Sequence, residues 1–163
     1  MPISHNALRT LFAITKAARE DGYSLSSDPA RLDLTAIHAF LSQAYWSAGI
    51  PPEVLARALA SSLCFGLYAP DGAQVGFARL VTDRATFAYL CDVYVLEAHR
   101  RRGLGRWLVG HALAHPDLVG LRRLLLVTRD AHELYRGLGF RPLGKPDSYM
   151  EIYRPHAYTS AKT

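Results

Sequence analysis

A run of arginines and two glycines stands near the middle of this 163-residue chain. A helix N-terminus presents unpaired N–H groups, and glycine allows phosphate oxygens to approach them closely. Arginine adds a permanent charge and fork-shaped hydrogen-bond donors. The segment predicts a binding site for a diphosphate group, between an apolar stretch and a predicted helix. Its residues are Arg100, Arg101, Arg102, Gly103, Leu104, Gly105 and Arg106.

Other kinds of site use similar residues. A dinucleotide fingerprint requires a third glycine where this sequence has Leu108, and a Walker loop requires a Gly-Lys-Ser/Thr sequence that the chain lacks here. A basic patch for nucleic acid explains the arginines but not the glycines at the start of a helix. We therefore expect a small phosphorylated ligand rather than nucleic acid.

A second segment with a tyrosine at its centre follows about thirty residues later. It reads Ala131-x-x-Leu134-Tyr135-x-x-x-Gly139-Phe140, on a predicted helix that ends at the glycine. Together with the spacing Arg100-x-x-Gly103-x-Gly105, it resembles the GNAT superfamily of acetyl-CoA-dependent N-acetyltransferases. The resemblance covers residues 23–153 in the order of elements and residues 91–143 in motif detail.

The resemblance implies that acetyl-CoA binds in a cleft where two parallel strands splay apart. The backbone of Val93, Tyr94 and Val95 is then expected to pair with the pantetheine arm, and an N–H near Val95 to polarise the thioester carbonyl. Thr128 or Asp130 stands where many members have an asparagine beside the pantetheine. The residues expected around the diphosphate are Arg100, Arg101, Arg102, Gly103, Leu104, Gly105 and Arg106.

The resemblance also implies how the reaction proceeds. Tyr135 matches the general acid that donates a proton to the departing CoA thiolate. The acceptor is expected to be a primary amine of a small molecule or peptide, attacking the thioester directly and without a metal. Asp92 is the acid of the long third meander strand. It either binds or deprotonates the amine, or it pairs with an arginine or caps a bulge. A non-catalytic CoA-binding module of the same fold is the alternative function.

In such a fold, the first two helices and the link between them form the roof of the acceptor pocket. Tyr45 and Trp46 in this link either form an aromatic wall for the acceptor or pack the link onto the sheet. His111 and His115 lie one turn apart on the predicted third helix, as a pair of metal ligands would, but no third ligand accompanies them. We expect both to be surface residues.

Hydrophobic periodicity and turn residues predict the elements that position these groups. The order of elements predicts an α/β (α+β) domain with a mixed, mostly antiparallel sheet flanked by helices. The strand–helix–strand unit at 86–128 predicts a parallel pair with a right-handed crossover. Strands are predicted at 23–27, 64–69, 74–81, 86–96, 124–128, 140–143 and 149–153, and helices at 33–47, 51–62, 103–115 and 130–138, the last capped by Asp130.

Length and composition predict one domain at 21–163, preceded by an extension at 1–20 that is expected to be helical. The net charge of +5 permits nucleic acid, a membrane surface or a phosphorylated ligand as partner, and the arginine loop favours the last. Two cysteines form no disulfide framework, and no apolar run approaches the ~20 residues of a membrane span. We expect a cytoplasmic protein that binds neither nucleic acid nor membrane, and a homodimer is compatible with the sequence.

Overall fold

The computed structural model describes residues 13–158, which form one six-stranded sheet whose strands follow their order in the chain. All neighbouring strands are antiparallel except β5 and β6, which are parallel. This architecture confirms the predicted fold class. The strands are β1 (Lys16–Ala18), β2 (Ser24–Ser26), β3 (Leu63–Tyr68), β4 (Gln74–Thr82), β5 (Phe87–Val95) and β6 (Arg123–Leu126).

Helices of the described chain cover both faces of the sheet: α1 (Leu34–Leu41), α2 (Pro52–Ala60), α3 (Leu104–Leu113) and α4 (His132–Arg136). Because strand side chains alternate between faces, β4 sends Phe77 into one apolar cluster and Ala78 into the other. The first cluster packs beneath α1 and α2, and the second packs beneath α3 and α4. The two helix pairs therefore hold the sheet from opposite sides.

A side-chain cap marks the start of α1 but not the start of α4. Asp33 caps α1, because its Oδ1 accepts a hydrogen bond from the N–H of Ala36 at 2.9 Å. Before α4, the Oγ1 of Thr128 accepts the N–H of Ala131 at 3.0 Å. The prediction that Asp130 caps α4 is wrong, because Ala131 is the N-cap residue and no side chain caps this helix.

The amino-terminal segment contributes a strand to the sheet. Residues 1–12 of the predicted extension lie outside the described residues. Lys16–Ala18, within the same extension, form β1 against β2, so the prediction of a helix is wrong there. Thr15 and Ser27 fix the start of this pairing, because the N–H of Thr15 donates to the Ser27 hydroxyl at 2.8 Å. Pairing with a strand distant in sequence overrides the local helical spacing.

The carboxyl-terminal segment lies outside the sheet. The strands predicted at 140–143 and 149–153 are wrong, because neither range pairs with another strand in residues 13–158. The ring of Tyr149 lies 5.6 Å from the guanidinium of Arg123, at the start of β6. After this contact the side chains of the segment are largely exposed, with Met150 98% exposed. A strand-like composition is not sufficient, because a β-strand also needs a partner strand with which to form hydrogen bonds.

His115, just after α3, is an interior residue and His111 within α3 is partly buried, so the expectation of surface positions is wrong for His115. His115 is fully buried; its Nδ1 accepts the N–H of Asp117 at 3.2 Å, and its Nε2 lies 2.7 Å from the carbonyl oxygen of Ala13. His111 is bonded through Nε2 to the Thr15 hydroxyl at 3.1 Å. Both imidazoles thereby fasten the segment before β1 onto the region of α3.

Burial and the nearby His115 lower the pKa of His111 below its usual 6.5. The unfolded chain therefore binds more protons at this position than the folded chain near pH 6. It follows that the contribution of His111 to the free energy of unfolding is greatest above pH 6.5 and decreases as the pH falls through this range. Urea titrations from pH 5 to 8 measure this dependence. His111→Gln should make it less steep, and an unchanged slope would contradict the assignment.

Candidate active site

The parallel strands β5 and β6 separate partway along their length. Their pairing ends at Leu90 opposite Leu126, while β5 continues to Val95. Within residues 13–158, this last part of β5 has a strand partner on the β4 side only. The opening lies beside Val93, Tyr94 and Val95, as the resemblance implies. It exposes a length of strand edge to an extended ligand.

A β-bulge at Asp92 accompanies this separation. Arg79 pairs with Cys91 and Phe77 pairs with Tyr94, so two residues of β5 face one residue of β4. Asp92 has a φ of 54°, in the left-handed region that few residues other than glycine adopt. A bulge bends its own strand and increases the local twist. The bend occurs just after pairing with β6 ends.

The carboxylate of Asp92 is held from two sides. Its Oδ2 accepts a hydrogen bond from Nε of Arg79 at 2.7 Å, and its Oδ1 accepts one from Nε1 of Trp46 at 3.1 Å. Both members of the ion pair are mostly buried. Burial opposes the charge on Arg79, yet Asp92 beside it raises the pKa of the guanidinium. The structure therefore shows Asp92 in an ion pair with Arg79, at a residue that forms a β-bulge.

A cleft of about 300 Å³ lies between the end of β5 and the start of α4. Tyr45 and Trp46 form its aromatic side, and the rings meet edge to face at 4.9 Å between centroids. The Arg129 guanidinium stacks on the Tyr45 ring at 3.8 Å. The cleft is lined by Tyr45, Trp46, Tyr89, Leu90, Cys91, Asp92, Val93, Val127, Thr128, Arg129, Asp130, Ala131 and Tyr135.

Tyr135 projects from α4 into this cleft and is 9% exposed. Its ring packs edge to face on Phe140 at 5.9 Å between centroids. Burial, with smaller contributions from Tyr45 and Asp130, raises the pKa of Tyr135 to about 12. The phenol therefore keeps its proton at neutral pH and can act as a donor. Burial likewise raises the pKa of the Cys91 thiol to about 12, which makes it a poor nucleophile.

The arginine-rich turn joins β5 to α3 and is shaped by left-handed backbone. Arg101 has a φ of 62°, and Gly103, the residue before α3, has a φ of 72°. At Gly105, an added Cβ would meet only Val95 Cγ2, at 4.0 Å. Packing within the fold does not require glycine at this position. Open space at a helix N-terminus suits the approach of a phosphate.

The arginines of this turn differ in their contacts. Nε of Arg100 donates to the Val95 carbonyl oxygen at 2.8 Å, at the end of β5. Arg106 donates to the Gly137 carbonyl at 2.6 Å and so links α3 to the end of α4. The carbonyl of Arg102 accepts a hydrogen bond from Arg19 at 3.0 Å. The predicted contacts with a diphosphate stay predictions for these residues.

Thr128 and Asp130 both line the cleft. The Thr128 hydroxyl accepts the Ala131 N–H, as described above, and so holds the start of α4. Asp130 is mostly exposed, with a long contact of 3.5 Å to Arg129. The structure thus places both residues at the cleft, and their contact with the pantetheine arm stays a prediction.

Sequence reasoning missed three arginines that organise this region: Arg19, Arg79 and Arg129. Arg79 had a detectable signal, because it is the cation of an otherwise largely apolar strand whose neighbour contains the lone acid Asp92. The contacts of Arg19 and Arg129 depend on loops distant in sequence and gave no local signal.

Across residues 13–158, no three His, Cys, Asp or Glu side chains come together as a metal site. No helix in this described part has the length and apolarity of a membrane span.

Two parallel strands, β5 and β6, separate beside the helix α3, which is preceded by Gly103. This arrangement is that of an acetyltransferase fold. Residues 15–140 match the model of the Acetyltransferase (GNAT) family, and the chain belongs to that family. The predicted family and enzyme class are thereby confirmed. A protein of Gibberella zeae, named as a candidate acetyltransferase, is 37% identical; the match covers 73% of this chain and 79% of that protein.

Solved structures agree with this assignment. The crystal structure of a candidate GNAT-family acetyltransferase from Xanthomonas campestris pv. campestris is 47% identical, with a TM-score of 0.83 over 88% of this chain and all of that one. A GNAT-family acetyltransferase from Streptococcus pneumoniae shares the fold at 24% identity, with a TM-score of 0.60 over 88% of this chain and 98% of that one.

Asp92→Asn should lower the free energy of unfolding by about 3 kcal/mol, because it leaves the buried Arg79 without its counter-charge. Asp21→Asn is the matched control. It removes the more exposed partner of Arg19 and should cost less than about 1 kcal/mol. Urea unfolding followed by circular dichroism measures both changes. Equal effects would show that the buried pair does not hold the bulge.

Proposed function

We propose that the protein transfers an acetyl group from acetyl-CoA to a primary amine by direct attack of the amine on the thioester. The observation that supports this most directly is the opening between β5 and β6 with Tyr135 facing into it. Acetyl-CoA supplies the activated acetyl group when bound. The residues of this chain bind it, orient it and hold a proton for the departing thiolate.

The geometry fits such a donor at both ends. At one end, Gly103 and Gly105 leave the N-terminus of α3 open, within a turn of three consecutive arginines. At the other end, the unpaired side of β5 offers backbone groups to a pantetheine arm, much as a neighbouring strand would. We propose that an N–H near Val95 on this strand binds the developing oxyanion.

Tyr135 is proposed as the general acid. Its raised pKa of about 12 keeps the phenol protonated throughout the pH range in which an amine of pKa about 10 becomes neutral. Asp92 is assigned to holding the bulge and Trp46, since both of its oxygens already accept hydrogen bonds. The amine then loses its proton to water at the exposed side of the cleft, where Tyr45 and Asp130 lie.

Turnover with a panel of amine classes tests the proposal, with release of the CoA thiol as the readout. At least one amine class should give turnover, and kcat/KM should rise from pH 7 to 9 without falling again before pH 10. Tyr135→Phe should lower kcat about 100-fold, the usual range for loss of a general acid. KM for acetyl-CoA should change little.

Tyr68→Phe is the control for the loss of a phenol, because the Tyr68 hydroxyl bonds to the Arg31 carbonyl outside the cleft. It should retain normal turnover. CoA binding without thiol release for any amine class would contradict the proposal and favour a non-catalytic CoA-binding module. Unchanged kcat in Tyr135→Phe would remove this residue from the mechanism.

Gly105→Leu should raise the dissociation constant for CoA at least about tenfold, because the side chain fills the space expected to admit the diphosphate. Gly144→Leu is the matched control, since an added Cβ at Gly144 also meets open space. Isothermal titration calorimetry measures the affinity, and thermal melts verify that both variants fold. Equal CoA affinity in the two variants would place the diphosphate site elsewhere.

A further inference from the structure

The candidate active-site cleft contains one cationic side chain. Among the described residues that line the cleft, this is Arg129, and the acids are Asp92 and Asp130. Both oxygens of Asp92 already accept hydrogen bonds, from Arg79 and from Trp46. An acceptor that enters the cleft therefore meets the charges of Arg129 and Asp130.

The ion pair between Arg129 and Asp130 is weak. Its N···O distance is 3.5 Å and both side chains are 66% exposed, so water screens their attraction. A guanidinium has five N–H donors in a planar fork, which matches the two oxygens of a carboxylate. Arg129 can therefore bind a carboxylate of the acceptor through two parallel hydrogen bonds, with Asp130 only weakly in competition.

Aromatic contacts hold Arg129 at the cleft. Its guanidinium stacks on the Tyr45 ring at 3.8 Å, and this ring meets Trp46 edge to face at 4.9 Å between centroids. Trp46 is fixed in turn by its hydrogen bond to Asp92 and by the ring of Phe40, at 6.3 Å between centroids. A guanidinium that is already positioned loses little conformational freedom when it binds an anion.

The same arrangement disfavours an acceptor with a second positive charge. Arg129 occupies a face of the Tyr45 ring, where another cation would otherwise bind. The charge of Asp92 is balanced by the buried Arg79 beside it. A diamine would therefore bring its second ammonium next to a guanidinium, and like charges repel.

The rest of the cleft wall is mostly apolar or aromatic. Such a wall suits an acceptor with an apolar body, since the few polar groups of a binding pocket serve to orient the ligand. One cation also matches a singly charged carboxylate better than a phosphate, which carries up to two charges near neutral pH. The apolar and aromatic side chains of the wall include Tyr45, Trp46, Tyr89, Leu90, Val93 and Val127.

We propose that the acceptor is an amine with one carboxylate, of the class of the apolar amino acids, and that Arg129 binds the carboxylate. This inference rests on the proposed function, because it names the acceptor of that reaction. With its carboxylate at Arg129, the acceptor has its amine left to face the opening beside β5 and Tyr135, which lines the same cleft. Arg129 thus determines specificity and exchanges no proton.

The transfer balances with these groups. The ammonium of the acceptor first loses one proton to water. Its nitrogen then bonds to the acetyl carbon as the C–S bond breaks, and Tyr135 protonates the departing sulfur. The second nitrogen proton passes through water and restores the phenol. The products are an N-acetyl amino acid and the CoA thiol.

Turnover of amino acids and of their methyl esters tests the inference, with release of the CoA thiol as the readout. Leucine, methionine and phenylalanine are each compared with their own ester at pH 8. At least one acid should exceed its ester in kcat/KM by a factor of about ten or more. The ester has the lower amine pKa and hence more neutral amine, so a preference for the acid reflects recognition of the carboxylate.

Other outcomes distinguish failure of this inference from failure of the proposed function. Equal or faster turnover of the esters, of the diamine putrescine or of O-phosphoethanolamine would overturn the inference and leave the acetyl transfer itself intact. Thiol release with no amine of any class would contradict the proposed function, and the inference with it.

Arg129→Gln should raise KM for the preferred amino acid at least about tenfold, because it removes the charge and the fork that bind the carboxylate. Both kcat and the turnover of the ester should change little. Arg129→Lys keeps the charge without the fork and should give an intermediate KM. Arg57→Gln is the matched control, since Arg57 is an exposed arginine of α2 that does not line the cleft. An equal loss with acid and ester in Arg129→Gln would show that the residue only packs against Tyr45, and would overturn the inference.

Discussion

The ion pair between Asp92 and Arg79 holds the backbone conformation on which the candidate active site depends. A left-handed residue within a strand costs free energy, on the order of 1–3 kcal/mol. Here the buried arginine and the indole of Trp46 bind the carboxylate of that residue and keep it in place. The resulting bulge bends β5 where its pairing with β6 ends. One interaction thus connects the opening of the sheet with the aromatic side of the cleft.

Hydrogen bonds from the first two strands support the other end of the site. Arg19, after β1, donates to the Arg102 carbonyl, and the Tyr23 hydroxyl bonds to Nδ1 of His99 at 2.8 Å. These contacts hold the turn that leads into α3. The residues around β1 and β2 therefore support the arginine-rich turn, although they lie far from it in sequence.

The outer edge of β6 is linked to the same site through shared side chains. Leu124, Leu125 and Leu126 are only partly buried, because β6 is the edge strand of the sheet within residues 13–158. Tyr135 lines both the pocket on this side of β6 and the cleft.

The sequence by itself determined the family, the meander, the parallel pair and the glycine-led helix, because these depend on short-range periodicity, turn residues and motif spacing. It also singled out Asp92 and Tyr135. Tertiary structure decided that Asp92 pairs with Arg79, since strand register alone brings the two side chains together. It likewise decided that His115 is buried and that Lys16–Ala18 form a strand. The segment at 149–153 shows the limit most plainly, because its composition favours a strand but it pairs with none of the six strands.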